Sequence, residues 1–479
     1  MDSTIPGKGA QVYFIGIKGT GMCALAELML DRGVHVSGSD QSEVFYTDAI
    51  LKELGIPYHE FFDASHIQAP DMVVYSAAYS EQTNAEIAEA RRRGIPLYKY
   101  TDALGAYSAG FDSSGIAGVH GKTTTTALAG TLMRAAALPA RILAGSAVGV
   151  FGGRSTLSLG DKYFVAETCE YRRHFLSFHP KRIILTSVES DHQDYFPAYQ
   201  DIRDAFVEYG RRLPPDGELI YCADDPGAAE VAAILKQEMS GMRLVPYGFS
   251  AEGDYQIQSF QVRDEKSVFR LRGFPGELAL RVPGRHTVCN TAAALALTSI
   301  LAEKEFGGWN DEKRESASKA LYEFSGSRRR SEILGQAGGI LFMDDYGHHP
   351  TAIETTLAGL KDFYPRRRLV VSFMSHTYTR TASLLEQFAA SFKNADVLVL
   401  HKIYPSAREV YSGGVTGETL FRRVKEISDK ECYYTEEVDD GIKILPEILR
   451  GGDLFITLGA GDNWRLGKKL YQRYSGEPQ

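Results

Sequence analysis

The sequence has few cysteines, no long apolar run and no excess of positive charge. The cysteines are far apart and form no CxxC pair, which excludes a disulfide framework or a zinc cage and predicts buried free thiols. Without an 18-residue apolar run or a basic-then-apolar leader, we expect a cytoplasmic protein that does not bind membranes. Because 53 Lys and Arg stand against 61 Asp and Glu, no basic surface for nucleic acid is indicated.

The length of 479 residues suggests about three domains, at roughly 150 residues per domain. Short apolar strands alternate with amphipathic helices, a pattern typical of parallel sheets with helices on both faces. Residues 254–283 instead alternate polar and apolar side chains, which predicts antiparallel strands flanking a sheet. Composition changes at 106–115 and 322–334 predict the boundaries of three α/β domains in series.

A glycine-rich segment, GIKGTG, joins the first predicted strand to the first helix. It contains Gly16, Gly19 and Gly21, and Asp40 ends the next strand. Glycines at such a turn let backbone N–H groups approach a phosphate, and an acid about 20 residues further on can bond a ribose hydroxyl. The order GxxGxG differs from the dinucleotide motif, so a nucleotide diphosphate is favoured over NAD. A tight turn without a ligand is the alternative.

The segment GVHGKTTTT has the composition of a phosphate-binding loop between a strand and a helix. Gly118 and Gly121 free the backbone for a phosphate, Lys122 can reach the β- and γ-phosphates, and the hydroxyl of Thr123 can meet Mg²⁺. Ile116 stands where the first glycine of the full motif belongs, so the spacing is incomplete. The strand–loop–helix context favours nucleotide binding.

Two polar side chains follow neighbouring predicted strands near this loop. Glu167 ends the strand YFVAE, and His192 lies in SVESDHQDYF after another strand. A carboxylate and an imidazole are reasonable ligands for a nucleotide-bound Mg²⁺, and the ends of parallel strands converge on one crevice. Glu170 and Asp191 are the competing candidates.

Two further segments have both a structural and a functional interpretation. His286 and Asn290 lie where a turn leads into a helix, so the Asn either reads an adenine edge or belongs to a simple helix start. Arg328, Arg329 and Arg330 are suited to phosphate contacts, although a bare arginine run is commonly a solvated charge cluster.

Histidines follow two strands in the last third of the chain. Adjacent histidines suggest zinc, but no standard metal spacing completes the set, so a substrate or acid–base role is favoured. Histidine and arginine after the next strand can bind a small anion such as a carboxylate. The side chains concerned are Asp344, Asp345, Tyr346, His348, His349, His376, Tyr378 and Arg380.

Taken together, these segments resemble the Mur ligases. The resemblance runs nearly end to end, from GIKGTGM through VHGKTTTT, ESDHQDYF, PGRHTVCN, SGSRRRSE, DDYGHHPTAIE and SHTYTRT to LGAGD. It implies an N-terminal Rossmann-like domain that binds a UDP-sugar (1–110), a central P-loop ATPase-type domain (111–323) and a Rossmann-like C-terminal domain that binds an amino acid (324–479). It also implies an ATP- and Mg²⁺-dependent reaction in which an amine attacks an acyl phosphate.

The resemblance also implies roles for individual residues. The implied catalytic residues are Lys122, Arg330, Asp345 and His348. The implied ATP contacts are Gly118, His120, Gly121, Lys122, Thr123, Thr124, His286, Asn290, Arg329 and Arg330. The implied substrate contacts are Gly16, Gly19, Gly21, Asp40, Tyr346, His376 and Arg380, and the implied metal ligands are Thr123, Glu167 and His192.

The expected reaction joins L-alanine to UDP-N-acetylmuramate in peptidoglycan precursor synthesis, in a monomer or weak homodimer. One segment departs from the family pattern, because ETCEYRRHF replaces the usual acidic EADESD after the magnesium glutamate. A sister branch of the family tends to vary at this place. The alternative is therefore a ligase that attaches a recycled peptide to the same sugar nucleotide.

Overall fold

A computed structural model of the chain describes residues 5–405, 409, 411 and 413–476. The chain forms two compact bodies. The first body comprises Met1–Glu189, Gln200–Gln256 and Asn290–Ala320, and the second comprises Ser190–Tyr199, Ile257–Cys289 and Leu321–Gln479.

The N-terminal part of the first body is a five-stranded parallel sheet with the order β3-β2-β1-β4-β5. Its strands are β1 Gln11–Ile15, β2 His35–Ser39, β3 Tyr58–His59, β4 Met72–Tyr75 and β5 Leu97–Lys99. Its helices are α1 Thr20–Leu30, α2 Thr47–Glu53, α3 Ala85–Arg92 and α4 Tyr100–Ser108. The strand order reverses beside β1, so the carboxyl end of β1 faces the crevice where such sheets bind ligands.

A seven-stranded sheet with the order β12-β11-β10-β6-β9-β7-β8 follows, parallel except for the β7–β8 hairpin. Its strands are β6 Asp112–Ala117, β7 Ala140–Val148, β8 Arg154–Ser158, β9 Tyr163–Glu167, β10 Arg182–Leu185, β11 Glu218–Cys222 and β12 Arg243–Tyr247. The helices of this region are α5 Lys122–Ala135, α6 Tyr199–Gly210, α7 Pro226–Glu238, α8 Arg285–Phe306 and α9 Asp311–Glu323.

Polar contacts join helix α1 of the N-terminal sheet to strand β8 of the central sheet. The buried carboxylate of Glu27 accepts hydrogen bonds from Thr156 Oγ1 (2.5 Å) and from Arg154. Asp31 accepts a bond of 2.6 Å from the hydroxyl of Ser158. The N-terminal and central sheets are therefore tied together within the first body.

The second body contains two sheets. A three-stranded antiparallel sheet consists of β13 Ile257–Val262, β14 Ser267–Leu271 and β15 Phe274–Leu280. A six-stranded sheet has the order β16-β17-β21-β18-β19-β20 and is parallel except for β16 against β17. Its strands are β16 Glu332–Ala337, β17 Ile340–Asp345, β18 Arg368–Met374, β19 Val397–Leu400, β20 Glu431–Tyr434 and β21 Asp453–Gly459.

Helices cover both faces of the six-stranded sheet, as its four buried inner strands, β17, β21, β18 and β19, require. These helices are α10 Pro350–Phe363, α11 Tyr378–Ser383, α12 Leu385–Ser391, α13 Gly417–Ile427, α14 Gly441–Ile448 and α15 Asn463–Ser475. Leu357, Phe388 and Leu420 pack in the core of one face, and Leu445 and Leu466 in that of the other. The side chains at the carboxyl edge thus rest on a rigid base.

The predicted α/β architecture of three domains in series is confirmed, with several local differences. The soft stretch predicted at 106–115 is largely the end of α4 and the start of β6, and hairpin β7–β8 escaped prediction. The prediction of buried thiols is correct for Cys23 and Cys222 but wrong for Cys169, which is exposed at the end of a loop after β9. Across the described ranges, no helix is long and apolar enough to cross a membrane.

Candidate functional site

The predicted phosphate loop lies between the end of β6 and the start of α5. Gly118 and Gly121 have φ angles of +138° and +82°, in a region that favours glycine. A Cβ at Gly118 would lie 2.0 Å from the hydroxyl oxygen of Thr186, and one at Gly121 would lie 2.7 Å from the amide oxygen of Asn290. Both glycines are therefore required by conformation and by space, and the loop brings its backbone to the amino end of a helix, where anions bind.

Lys122 is the first residue of α5 and its side chain folds back over the loop. Its ammonium donates to the carbonyl oxygen of Gly118 and to Oε2 of Glu170 at 2.8 Å. Burial alone would lower the pKa of Lys122, but the neighbouring negative charges, that of Glu170 first, and the hydrogen bond to Glu170 together outweigh burial and raise this pKa above its usual value. The lysine is therefore a fixed positive charge at the mouth of the loop.

Other residues of the loop contact the segment after β10. The backbone N–H of His120 donates to the hydroxyl of Ser187 at 2.9 Å, and its Nε2 lies 2.6 Å from a carboxylate oxygen of Glu189. Thr124 is half-buried in the first turn of α5. These contacts fix the loop between two strand ends of the central sheet.

The hydroxyl of Thr123 meets the carboxylate of Glu167 at the end of β9. Oε2 of Glu167 accepts from Thr123 Oγ1 at 2.8 Å and from the backbone N–H of Gly145 at 2.9 Å. A hydroxyl and a carboxylate oxygen next to a phosphate loop are the ligand types that Mg²⁺ prefers. The chemistry of this donor pair fits the predicted metal.

The first glycine loop follows β1 as predicted. Gly16 has a φ of +84°, and a Cβ at Gly21 would lie 2.7 Å from the hydroxyl of Tyr100. Asp40 is buried, and its oxygens accept from the backbone N–H groups of Lys18 (2.7 Å) and Gln41 (2.8 Å). Burial raises the pKa of Asp40 despite these bonds. Asp40 therefore braces the glycine loop in addition to the ribose contact predicted for it.

A cavity of about 310 Å³ in the first body joins this loop to the central sheet. Gly19 and Gly21 line it from the N-terminal side, and Gly145, Glu167 and Cys169 from the central side. The structure thus brings a predicted sugar-nucleotide loop and a predicted metal ligand to one cavity. Cys169 lies in the segment that departs from the family pattern.

The arginine run lies in the second body, just before β16. Arg329 has a φ of +58°, and its guanidinium donates to Asp344 (2.9 Å) and to the carbonyl of Gly459 (2.8 Å). The guanidinium carbons of Arg329 and Arg330 lie 4.8 and 5.5 Å from the ring centre of Tyr346. Arg329 is thus anchored to the six-stranded sheet, and the ring of Tyr346 faces both arginines.

The last residue of β17 and the residues that follow it form a tightly bonded turn. Asp345 is buried and accepts from the N–H groups of Ser331 (2.7 Å) and Gly347 (2.6 Å). Nδ1 of His348 lies 2.7 Å from the carbonyl oxygen of Tyr346, and a carbonyl can only accept, so Nδ1 carries the hydrogen. Burial, helped by nearby positive charge, holds the pKa of His348 well below its usual value, so the ring is neutral.

Arg380, in α11, is buried against the segment that follows β10. Its Nε and one terminal nitrogen donate to Oδ1 of Asp191 at 3.0 and 2.5 Å, and its other terminal nitrogen lies 2.8 Å from Nδ1 of His376. Burial would raise the pKa of Asp191, but the guanidinium of Arg380 holds it well below its usual range. The rings of His348 and His376 are 5.2 Å apart, so these side chains form one cluster.

The predicted residues divide between the two bodies. The first body contains the two glycine loops with Asp40, His120, Lys122, Thr123, Thr124, Glu167 and Asn290. The second contains His192, His286, Arg329, Arg330, Asp345, Tyr346, His348, His376 and Arg380. Asn290 lies against Gly121, whereas His286 is in the first turn of α8 with its ring over Gly284.

Sequence reasoning missed several polar partners. Glu170 and Asp191 were considered only as competing metal ligands, whereas the structure pairs them with Lys122 and Arg380. Gly145 went unnoticed because its strand belongs to the unpredicted hairpin. The run of small residues AGSA around it was the available signal, since small side chains mark a close approach of backbone to another group.

Family models and known proteins match this chain over nearly its whole length. The model described as Mur ligase family, catalytic domain, matches residues 11–112, the Mur ligase middle domain matches 116–298, and the Mur ligase glutamate ligase domain matches 329–461. The chain therefore belongs to the Mur ligase family.

Individual relatives agree with this assignment. The chain is 52% identical over 470 residues to UDP-N-acetylmuramate–L-alanine ligase of Treponema pallidum. This match covers 98% of each of the two chains. The crystal structure of UDP-N-acetylmuramate-alanine ligase from Thermotoga maritima shares its fold, with a TM-score of 0.75, 24% identity and coverage of 98% and 100%. A murein peptide ligase from Psychrobacter arcticus has a TM-score of 0.65, 23% identity and the same coverage.

Proposed function

We propose that this protein is an ATP-dependent ligase that joins L-alanine to UDP-N-acetylmuramate in peptidoglycan precursor synthesis. The observation that carries the proposal is the 52% identity, over 98% of both chains, to a relative of that name. The phosphate loop with its half-buried Lys122 supplies a nucleotide site, and the cluster around Arg380 supplies an amino-acid site.

The nucleotide is bound by the loop from Gly118 to Thr124, with Asn290 beside it. Lys122 offers a fixed positive charge to the transferred phosphoryl group, where electrostatic stabilisation is the main catalytic resource. Arg329 and Arg330, which face the ring of Tyr346 in the second body, supply further charge for the γ-phosphate. Because Arg329 is bonded to Asp344, the run is partly ordered before the nucleotide binds.

Thr123 and Glu167 would hold Mg²⁺ from the first body, and His192 is the further ligand that the family resemblance implies. A bound Mg²⁺ would neutralise part of the charge that the phosphates carry. The pairing of Thr123 with Glu167 at 2.8 Å supports two of these ligands, since both oxygens already point to one place.

The sugar nucleotide occupies the cavity between the first glycine loop and the central sheet. Gly19 and Gly21 leave room for its phosphates, and the opposite wall ends at Glu167, so the muramoyl carboxylate enters beside the metal ligand. Phosphorylation of this carboxylate by ATP gives an acyl phosphate and ADP. The N-terminal domain, 1–110, is thus the sugar-nucleotide domain.

The amino acid binds in the C-terminal domain, 324–479, near Tyr346, His376 and Arg380. Its carboxylate pairs with the guanidinium of Arg380, which keeps this negative charge away from the acyl phosphate. Its ammonium must lose a proton before it attacks. His348 is neutral and its Nδ1 hydrogen is held by a carbonyl, so Nε2 has the free lone pair to accept that proton. Asp345 fixes the turn that carries His348.

Product analysis tests the proposal. The purified full-length chain is incubated with ATP, Mg²⁺ and UDP-N-acetylmuramate and with L-alanine, glycine, L-serine or a muropeptide-derived tripeptide in turn. We expect ADP and an amide-linked UDP product with L-alanine. Amide formation with the tripeptide alone would favour the peptide-recycling alternative, and ADP without an amide would indicate an NTPase. We place the enzyme in the cytoplasm, as a monomer or weak homodimer.

A further inference from the structure

A single carboxylate oxygen, Oδ1 of Asp191, accepts three hydrogen bonds. Two come from the guanidinium of Arg380, from Nε at 3.0 Å and from a terminal nitrogen at 2.5 Å. The third comes from the backbone N–H of the next residue, His192, at 2.7 Å. One carboxylate oxygen thus bonds both to Arg380, a candidate contact of the amino acid, and to His192, a candidate metal ligand.

The backbone of His192 depends on these bonds. His192 has a φ of +54°, a left-handed conformation that is unfavourable for a non-glycine residue and persists only where its surroundings fix it. Its carbonyl oxygen accepts from the N–H groups of Tyr195 and Phe196, both at 2.8 Å, and its own N–H is held by Asp191. A shift of Oδ1 therefore releases one of the restraints on this conformation.

The ion pair itself is buried and specific. Asp191 and Arg380 are 5% and 4% exposed, so water cannot take the place of either partner without opening the cluster. Asp191 occupies one edge of the Arg380 guanidinium, the edge that presents Nε and one terminal nitrogen. A change in what Arg380 binds therefore acts directly on Oδ1.

We infer that Asp191 is a positioning residue that couples metal binding at His192 to amino-acid binding at Arg380. The inference rests on the proposed function, because it takes His192 as a ligand of Mg²⁺ and Arg380 as the partner of the amino acid's carboxylate. Mg²⁺ would order His192 and the amino acid would order Arg380, the two residues that donate to Oδ1 of Asp191. Whichever ligand binds second finds these three hydrogen bonds already ordered and therefore binds more tightly. The effect is reciprocal, as any coupling between two binding equilibria must be.

Equilibrium binding of radiolabelled L-alanine tests this coupling. The full-length protein is saturated with UDP-N-acetylmuramate and a non-hydrolysable ATP analogue, and the Kd of L-alanine is measured with excess EDTA and with saturating Mg²⁺. For the parent we expect a Kd at least about 5-fold lower with Mg²⁺, the lower end of typical coupling. For Asp191→Asn, which cannot serve as a charged acceptor, we expect the two Kd values to be equal.

Two further variants keep the test decisive. Asp453→Asn removes a comparable buried carboxylate that pairs with Arg368 at 2.9 Å in the same body, so it should lower stability and keep the parent's ratio. If Asp191→Asn does not fold, Asp191→Glu retains the charge but moves the oxygen, and it too should lose the ratio. A parent-like ratio in a folded Asp191 variant, or equal Kd values in the parent, would overturn the inference. Loss of L-alanine binding in the parent would instead count against the proposed function.

Discussion

The ammonium of Lys122 and the carboxylate of Glu170 form a partly buried ion pair 2.8 Å long, although 48 residues separate them in the sequence. The lysine that the sequence assigns to phosphate binding thus has a dedicated carboxylate partner. Its catalytic and structural contributions must be separated by experiment.

Lys122→Ala should lower kcat by a factor on the order of 10² or more, because it removes a charge that stabilises the transferring phosphoryl group. It should also destabilise the fold by about 3–5 kcal/mol, because the buried carboxylate of Glu170 loses the ammonium that pairs with it. The double variant Lys122→Ala with Glu170→Gln should recover stability but not kcat. Steady-state ADP release and urea unfolding measure the two effects. Lys162→Ala, which breaks the exposed pair with Glu305, serves as a control with normal kcat.

Gly145→Ala should weaken the binding of Mg²⁺, although it replaces none of the proposed ligands. The added Cβ would lie 2.2 Å from Oε2 of Glu167, so the carboxylate must leave Thr123. We expect the Mg²⁺ concentration for half-maximal rate to rise about 10- to 100-fold, as when the support of a metal ligand is lost, and Glu167→Gln to behave alike. Gly110→Ala, whose Cβ meets nothing closer than 3.5 Å, should titrate as the parent does. An unchanged titration in both test variants would remove Glu167 from the metal site.

Arg380→Ala should raise the KM for L-alanine by roughly 10- to 100-fold and leave those for ATP and the sugar nucleotide nearly unchanged. Alanine amide lacks the carboxylate and should react about equally well with variant and parent. Because the variant also frees the buried Asp191, it needs a control for stability. Arg368→Ala removes the partner of Asp453 and should lower Tm while leaving every KM normal. Equal weakening of all three substrates would mean that Arg380 is purely structural.

His401 should make stability depend on pH between about 4 and 6.5. Burial lowers its pKa to about 4, while its ring is bonded to Ser372 and Thr435 at 2.8 Å. Between these pH values the unfolded chain binds a proton that the folded chain does not, so the free energy of unfolding rises with pH. The contribution amounts to about 3 kcal/mol. Urea unfolding at pH 4.5 and 7.5 should show this difference in the parent and a smaller one in His401→Gln.

The strands and the positions of the motifs were predictable because both follow local rules. An apolar strand, a glycine turn and a helix with a buried face are encoded within about 30 residues, and this places Gly16 directly after β1 and Lys122 at the start of α5. The hairpin β7–β8 was missed because Gly145 and its small neighbours lack the alternation of a typical strand. Its place in the sheet is decided by pairing with β9.

The partners of the charged side chains were not predictable in the same way. Arg380 and Asp191 are 189 residues apart, and no sequence pattern in either segment indicates that the two side chains pair. The same applies to Asp40, whose predicted ribose contact depends on a carboxylate that also accepts two backbone N–H groups. These pairings are determined by tertiary packing, because a buried charge is stable only next to a group that pairs or hydrogen-bonds with it.

The bonds from Glu27 to Arg154 and Thr156 have a consequence for how the chain unfolds. They cross from the first helix to the central sheet, so the stability of the N-terminal sheet depends in part on residues more than 100 positions away. In hydrogen-exchange terms, α1 and β8 should belong to one foldon and open together. A fragment cut at residue 110 would retain a Rossmann-like strand order but expose Glu27 and the apolar residues around it. It would not be an autonomous folding unit.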